Sequence, residues 1–193
     1  MREATGHELL PVERARAGDP EAWDALFRRY QLPLFAWLQE LLHDEQTSLD
    51  LVQETFAQAT RHIGSLRDPE RFGAWLFGIA HQKCRQHWRK QRPARAWESL
   101  DAEDREASCA DETDPAPDEW LIRKEAREQF YRALAELTPE HRAVVLLHFL
   151  EGFSLEEIGR VTGAPVGTVK SRLHYARKAL KTLLQAPCHE NAP

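Results

Sequence analysis

The stretch Glu140–Leu184, EHRAVVLLHFLEGFSLEEIGRVTGAPVGTVKSRLHYARKALKTLL, decides the reading of the whole chain. Ser154 is a good N-cap, and Glu157, three residues on, completes a capping box. These signals predict a short helix over Ser154–Val161. Gly163 suits the position just past a helix end, so Thr162-Gly163-Ala164 reads as a tight turn. Pro165 suits the first turn of a following helix, where its missing N–H costs nothing. Leu155, Ile158 and Val161 make one apolar face, and Val169, Leu173, Ala176 and Leu180 make the other. Two short helices joined by a glycine turn form a helix-turn-helix.

The second helix carries Lys170, Arg172, Arg177, Lys178 and Lys181 and no acid between Lys170 and Lys181. Its outward N-terminal half offers Thr168, Lys170, Ser171, His174 and Tyr175. In a helix-turn-helix that half of the second helix meets base edges in the major groove. Lys170 suits a guanine edge, and Ser171 or His174 suits a base or a phosphate. Arg172, Arg177 and Lys178 suit phosphate contacts that hold register. The plainer alternative is an ordinary solvated basic face, but the turn chemistry and the charge agree on DNA.

The total charge of −5 is unexpected for a nucleic-acid binder until its distribution is seen. Glu98–Glu119 holds ten acids against one base, a net −9, so the remaining residues carry +4. Just before it, His81–Trp97 has six bases and no acid. Such blocks mark interaction surfaces. The acidic block, with Pro115 and Pro117 and few large apolar side chains, is expected to be a flexible linker. It separates an N-terminal domain, 15–95, from a C-terminal domain, 118–186, with the linker proper at 96–117. Cys84, Cys109 and Cys188 form no CxxC pair, which points to a reducing cytoplasm and away from a disulfide framework or a zinc site. No apolar run approaches the ~20 residues of a membrane span, and the first twenty residues lack a signal-peptide core.

The N-terminal domain reads as all helix. Asp19-Pro20 is a cap and a first-turn proline, followed by Trp23, Leu26, Phe27 and Tyr30 at helical spacing. Pro33 is expected to kink this helix or start a new one. A further helix, about Ser48–His62, has its apolar positions at Leu49, Val52, Phe56 and Ala59, running on to Ile63, and a polar face at Asp50, Gln53, Glu54 and Gln58. A loop, Gly64–Arg71, precedes a long helix over Phe72–Lys90 that begins apolar and ends basic. Phe72, Trp75 and Ile79 read as core rather than as stacking platforms.

SLEEIGRVTGAPVGTVKSRLHYARKAL resembles the promoter −35-reading domain, σ4, of bacterial RNA polymerase sigma factors, in the form of the extracytoplasmic-function (ECF) group. The N-terminal half resembles the ECF σ2 domain. The matching residues are Arg28-Arg29-Tyr30, Asp50-Leu51-Val52-Gln53-Glu54-Thr55-Phe56, Phe72-Gly73-Ala74-Trp75-Leu76-Phe77-Gly78-Ile79-Ala80 and His87-Trp88-Arg89-Lys90. Two family blocks in the right order, with a variable linker between them, cover roughly Asp19–Leu184. The resemblance implies an all-α protein of two small helical domains, a σ2 bundle and a σ4 helix-turn-helix. It implies a specificity subunit with no reaction, cofactor or metal of its own. Its partners would be bacterial core RNA polymerase, at the β′ coiled coil and the β flap, promoter DNA, and an anti-sigma factor.

Asp50, Gln53 and Glu54 carry over as polymerase-binding positions. Ser65, Leu66, Arg67 and Arg71, in the loop and its exit, carry over to the reading of a flipped −10 base. Lys83, Arg85, Arg89 and Lys90 would line the basic groove that holds the backbone of the opened strand. Gln82 and Gln86 depart from the Asn and Asp usual at those positions, which bears on −10 preference and melting. Two other classes remain: a DNA-binding regulator that acts without polymerase, and a sigma-like decoy. An enzyme fits least, because the histidines are scattered and no nucleophile motif is present.

Overall fold

The computed structural model describes residues 10–91 and 124–185, and every regular element among them is helical. The N-terminal unit comprises α1 (Val12–Arg16), α2 (Pro20–Leu42), α3 (Glu45–His62) and α4 (Phe72–Gln91), with two short 3₁₀ turns, Ile63–Ser65 and Pro69–Arg71, between α3 and α4. The C-terminal unit comprises α5 (Lys124–Ala135), α6 (Pro139–Phe149), α7 (Leu155–Thr162) and α8 (Val166–Gln185). The acidic block, Cys109 and Cys188 lie outside the described residues. No described helix is long and apolar enough to cross a membrane.

Side-chain caps start several of these helices. Asp19 accepts from the Glu21 N–H, Asp44 from that of Thr47, and Thr138 from that of His141. Each is worth on the order of 1 kcal/mol. α1, unforeseen in the sequence, buries Val12 and Ala15 against α2. Pro33 does not divide α2, which runs unbroken from Pro20 to Leu42. Pro33 removes one intrahelical bond, but Leu26, Leu34 and Leu38 on the same helix are fully buried and hold both flanks in register.

α3 starts three residues earlier than its apolar pattern suggests, because Asp44 caps it. Its buried face also differs. Leu49 is 40% exposed, whereas Ser48 and Thr55 are fully buried. Their hydroxyls donate to the carbonyls four residues back, Asp44 at 2.7 Å and Leu51 at 2.6 Å. A hydroxyl satisfied in this way tolerates the core; Val52, Phe56, Ala59 and Ile63 are buried as their spacing implies, and Leu49 alone departs from that face.

The two units pack against each other. α4 lies against α7, and α2 against α6. Trp37 of α2 stacks edge-on with Phe77 of α4 at 5.4 Å, and Phe77 meets Phe153 of the C-terminal unit at 5.4 Å. A Cβ on Gly78 would come 3.9 Å from the Val161 Cα, so the α4 and α7 backbones approach closely there.

Candidate nucleic-acid and polymerase interfaces

The helix-turn-helix is built as its sequence implies. The Ser154 hydroxyl accepts from the Glu157 N–H, and the Glu157 carboxylate accepts from the Ser154 N–H and hydroxyl, both at 2.9 Å. Gly163 ends α7 at φ 73°, the left-handed region. α8 begins at Val166, one residue after Pro165, whose carbonyl accepts from the Val169 N–H at 3.0 Å. Gly159 is set by contact instead: a Cβ there would lie 3.0 Å from the Ala164 carbonyl oxygen. α7 and the turn therefore touch through backbone.

On α8, Lys170, His174, Tyr175 and Lys178 are exposed and Thr168 is partly so. The His174 and Tyr175 rings meet edge-on at 5.5 Å. Two expected DNA contacts face inward. Ser171 is 6% exposed, and its hydroxyl returns to the Gly167 carbonyl at 2.8 Å. Arg172 is 8% exposed and lines a cleft between the units with His81, Arg85, Trp88, Glu140 and Thr162. The residues of the other unit that line this cleft with Arg172 are distant in sequence, so the helix pattern alone does not reveal its burial. Arg177 lies over the Phe149 ring at 5.2 Å, a cation–π contact that fixes α8 against α6.

The same cleft changes His81. Burial, with the positive charges of Arg85 and Arg172, lowers its pKa to about 4. It is therefore neutral at pH 7.

On α3, Asp50, Gln53 and Glu54 are exposed on one polar face. Asp50 accepts from the Gln46 side chain at 3.1 Å. Glu54 pairs with Lys83 of α4 at 3.0 Å, so two residues assigned to different partners are in contact. In the loop, Ser65 and Arg67 are exposed, the Ser65 hydroxyl donates to the His62 carbonyl, and Arg71 pairs with Asp68 at 2.9 Å. Leu66 is different: at 6% exposed it anchors the loop in the core and offers no side chain to a base. Its carbonyl accepts from Arg16 of α1 at 2.6 Å. Arg89 and Lys90 are exposed at the end of α4, and Arg85 is partly buried. Phe72 is fully buried and Trp75 partly, in one aromatic cluster with Tyr30 and Trp23. A Cβ on Gly73 would lie 3.1 Å from the Tyr30 ring, which ties the start of α4 to the Arg28-Arg29-Tyr30 segment.

Arg142 was not foreseen. It is 5% exposed, and its guanidinium donates to the carbonyls of Leu134, Ala135 and Leu137 at 2.8, 2.6 and 2.9 Å. A sequence signal existed: a single arginine falls on the face that Val145, Leu146 and Phe149 continue at helical spacing. Among the described residues no group of three or more His, Cys, Asp or Glu could hold a metal ion.

Residues 26–94 match the family model for sigma-70 region 2, and residues 127–180 match that for sigma-70 region 4. The RNA polymerase sigma-H factor of Pseudomonas aeruginosa is 33% identical over 177 residues, covering 90% of this chain and 92% of that protein. The ECF RNA polymerase sigma-E factor of Escherichia coli K12 is 30% identical over 188 residues, covering 96% and 97%. Among solved structures, CnrH in complex with the cytosolic domain of CnrY superposes with a TM-score of 0.62 at 26% identity, covering 91% of this chain and 96% of that one. The sigma factor RpoE in complex with the anti-sigma factor NepR, from Bartonella quintana, gives 0.59 at 26% identity, covering 84% and 98%. The chain belongs to the sigma-70 family of RNA polymerase sigma factors, in its ECF group, and directs promoter-specific transcription initiation.

Proposed function

We propose that the two units divide promoter reading between them, σ2 as residues 15–95 and σ4 as residues 118–186. Lys170, His174 and Tyr175 of α8 read the −35 element as duplex, with Thr168 beside them and Arg177 and Lys178 toward phosphates. The observation that carries this is the acid-free, exposed N-terminal half of α8, presented beyond a capped α7 and a glycine turn. Lys170 is the residue best suited to a guanine edge. Ser65, Arg67 and Arg71 serve the −10 base, and Lys83, Arg85, Arg89 and Lys90 serve the opened strand. Arg172 joins the phosphate contacts once its cleft is opened, and Leu66 and Ser171 act as supports for the residues beside them. Asp50, Gln53 and Glu54 dock on the β′ coiled coil of core polymerase, and σ4 docks on the β flap. An anti-sigma protein holds the chain inactive in the cytoplasm; the relative RpoE, solved with its anti-sigma factor NepR, supports this partner. Tethering two weak DNA-binding modules to one polymerase raises the effective concentration of each.

The test is transcription in vitro with the purified chain, bacterial core polymerase and genomic fragments that include its own upstream region. Defined transcripts that require the chain support the reading. Lys170→Ala should change the preferred −35 bases and leave core binding intact. An equal loss of core binding would refute the assignment of α8.

A further inference from the structure

α1 precedes the segment that matches region 2, residues 26–94, yet it reaches into the loop assigned to the −10 base. Arg16 Nη2 donates to the Leu66 carbonyl at 2.6 Å, across fifty positions of sequence. Its Nη1 donates to both carboxylate oxygens of Glu13 at 2.9 Å. Because the guanidinium is a rigid planar fork, holding one nitrogen aims the other. α1 is itself anchored. Val12 and Ala15 are buried, the Trp23 indole N–H donates to the Ala15 carbonyl at 3.0 Å, and Arg14 Nε donates to Asp19 at 2.7 Å. The Trp23 ring also meets Phe72, the first residue of α4, at 6.5 Å. One tryptophan therefore ties α1 to the exit of the loop, while Arg16 ties it to the middle.

The loop has bonds of its own at both ends. The Leu66 N–H donates to the Ile63 carbonyl and the Arg71 N–H to the Asp68 carbonyl, each at 3.1 Å, and the Glu70 N–H donates to the Asp68 carboxylate at 3.1 Å. Those bonds close the two 3₁₀ turns. Between the turns, the Leu66-Arg67 peptide is held from another element, by Arg16. The peptide group is planar. Fixing the Leu66 oxygen therefore fixes the Arg67 amide and limits where the Arg67 Cα, and the long side chain beyond it, can sit. Leu66 is extended, at φ −71° and ψ 116°, with its side chain in the core. Its neighbours Ser65 and Arg67 are exposed, so one buried side chain and one bond from α1 set the direction of both. A hydrogen bond from a charged donor is stronger than a neutral one, and this one is partly buried, which reduces competition from water.

We propose that Arg16 is a positioning residue for −10 recognition: through the Leu66 carbonyl, α1 holds the loop in the conformation that reads the flipped base. This rests on the assignment of Ser65, Arg67 and Arg71 to that base. A flipped base is read by hydrogen bonds to its edge, and such bonds weaken steeply with misalignment. A loop already fixed in its reading conformation also gives up less freedom on binding than one that the DNA must order. Arg16 acts only through the loop and touches no base itself.

The test is transcription in vitro with the full chain and core polymerase, on promoters in which each −10 and −35 position is varied singly. Activity on the preferred base divided by activity on the poorest gives a discrimination ratio at each position, whatever the amount of active protein. Arg16→Ala should lower the ratio about tenfold at the −10 position that the loop reads, the size expected when a charge-assisted hydrogen bond that orders the reader is lost. The −35 ratios and core affinity should not change. Asp44→Ala, which uncaps α3 at the end remote from the loop, controls for lost stability in the same unit and should leave every ratio as it was. The proposal is overturned if the −10 ratios of Arg16→Ala hold, if they fall together with the −35 ratios, or if Asp44→Ala lowers them as far. Ser65→Ala and Arg67→Ala distinguish failure of the strut from failure of the base assignment. If either lowers a −10 ratio and Arg16→Ala does not, the strut alone is refuted; if neither does, the loop does not read the base and both fall. Where Arg67→Ala lowers the same ratio as Arg16→Ala, the double variant should lose no more than Arg67→Ala does, because the two act in series. A further full loss in the double variant would place the action of Arg16 outside the loop and overturn the proposal.

Discussion

Gly159→Ala tests whether the helix-turn-helix is set by backbone contact. In an ordinary helix interior the change would stabilise by about 1 kcal/mol, because alanine is the better helix former. Here the new methyl would sit 3.0 Å from the Ala164 carbonyl oxygen. That atom is backbone, so it can yield only if the turn between α7 and α8 moves by a few tenths of an ångström. Overpacking of this kind costs about 1–3 kcal/mol. The two effects oppose each other, and the overlap wins: the variant should be destabilised by about 1 kcal/mol, roughly 3 °C in Tm for a chain of this size. Because the turn carries the start of α8, the shift should also weaken recognition of the −35 element beyond what the Tm change alone explains. Thermal melting and transcription from matched promoters with intact or scrambled −35 elements read the two effects separately. Gly163→Ala is the control. Nothing lies within 4 Å of a Cβ there, but φ is +73°, so its cost of about 1–2 kcal/mol is purely conformational. If Gly159→Ala melts about 3 °C higher than the parent chain, propensity has won and the close approach described here is wrong.

Three further outcomes are expected. Ser154→Ala removes the hydroxyl half of the capping box, leaving the backbone N–H of residue 154 on the Glu157 carboxylate, and should cost about 1 kcal/mol, seen as faster amide exchange in the first turn of α7; unchanged exchange there would contradict the cap. His81 has its folded pKa lowered from 6.5 to about 4, so below pH 6.5 the unfolded chain takes up a proton that the folded chain refuses. Stability should fall between pH 6.5 and 4 by up to about 3 kcal/mol and level off below, and denaturation of His81→Gln across that window should lack this component. Cys84 is fully buried, and burial pushes its thiol pKa up, so it should resist iodoacetamide at pH 8 in the native chain and react in denaturant; native labelling would place the thiol at the surface instead.

Local chemistry made much of this architecture legible. The Ser154 capping box, Gly163 and the 3.6-residue spacing of α8 are interactions within a few residues, and the sequence displays them directly. The same holds for Asp19-Pro20 at the head of α2. What the sequence concealed depends on distant contacts. Pro33 reads as a kink or a new start because its local cost is visible, whereas the packing of Leu26, Leu34 and Leu38 that keeps α2 one helix is not. Arg172 reads as a phosphate contact, but it lines a cleft with His81, Arg85 and Trp88 of the other unit, and the Ser171 hydroxyl returns to the Gly167 carbonyl. Arg142 was the plainest loss: its partners Glu40 and His43 lie about a hundred positions away, and they are a carbonyl and an imidazole, which no search for opposite charges would find.

The pairing of Glu54 with Lys83 across α3 and α4 bears on how genetic results in this protein are read. Glu54 belongs to the face assigned to polymerase, and Lys83 to the groove assigned to opened DNA. Charge reversal at either one leaves the other facing a like charge, so charge-reversal alleles at the two sites will share whatever part of their phenotype comes from the lost pair. Only the reciprocal exchange, Glu54→Lys with Lys83→Glu, restores the pair while keeping both surfaces altered. An allele that this exchange rescues reported on the joint between the helices, and one that stays defective reported on a partner.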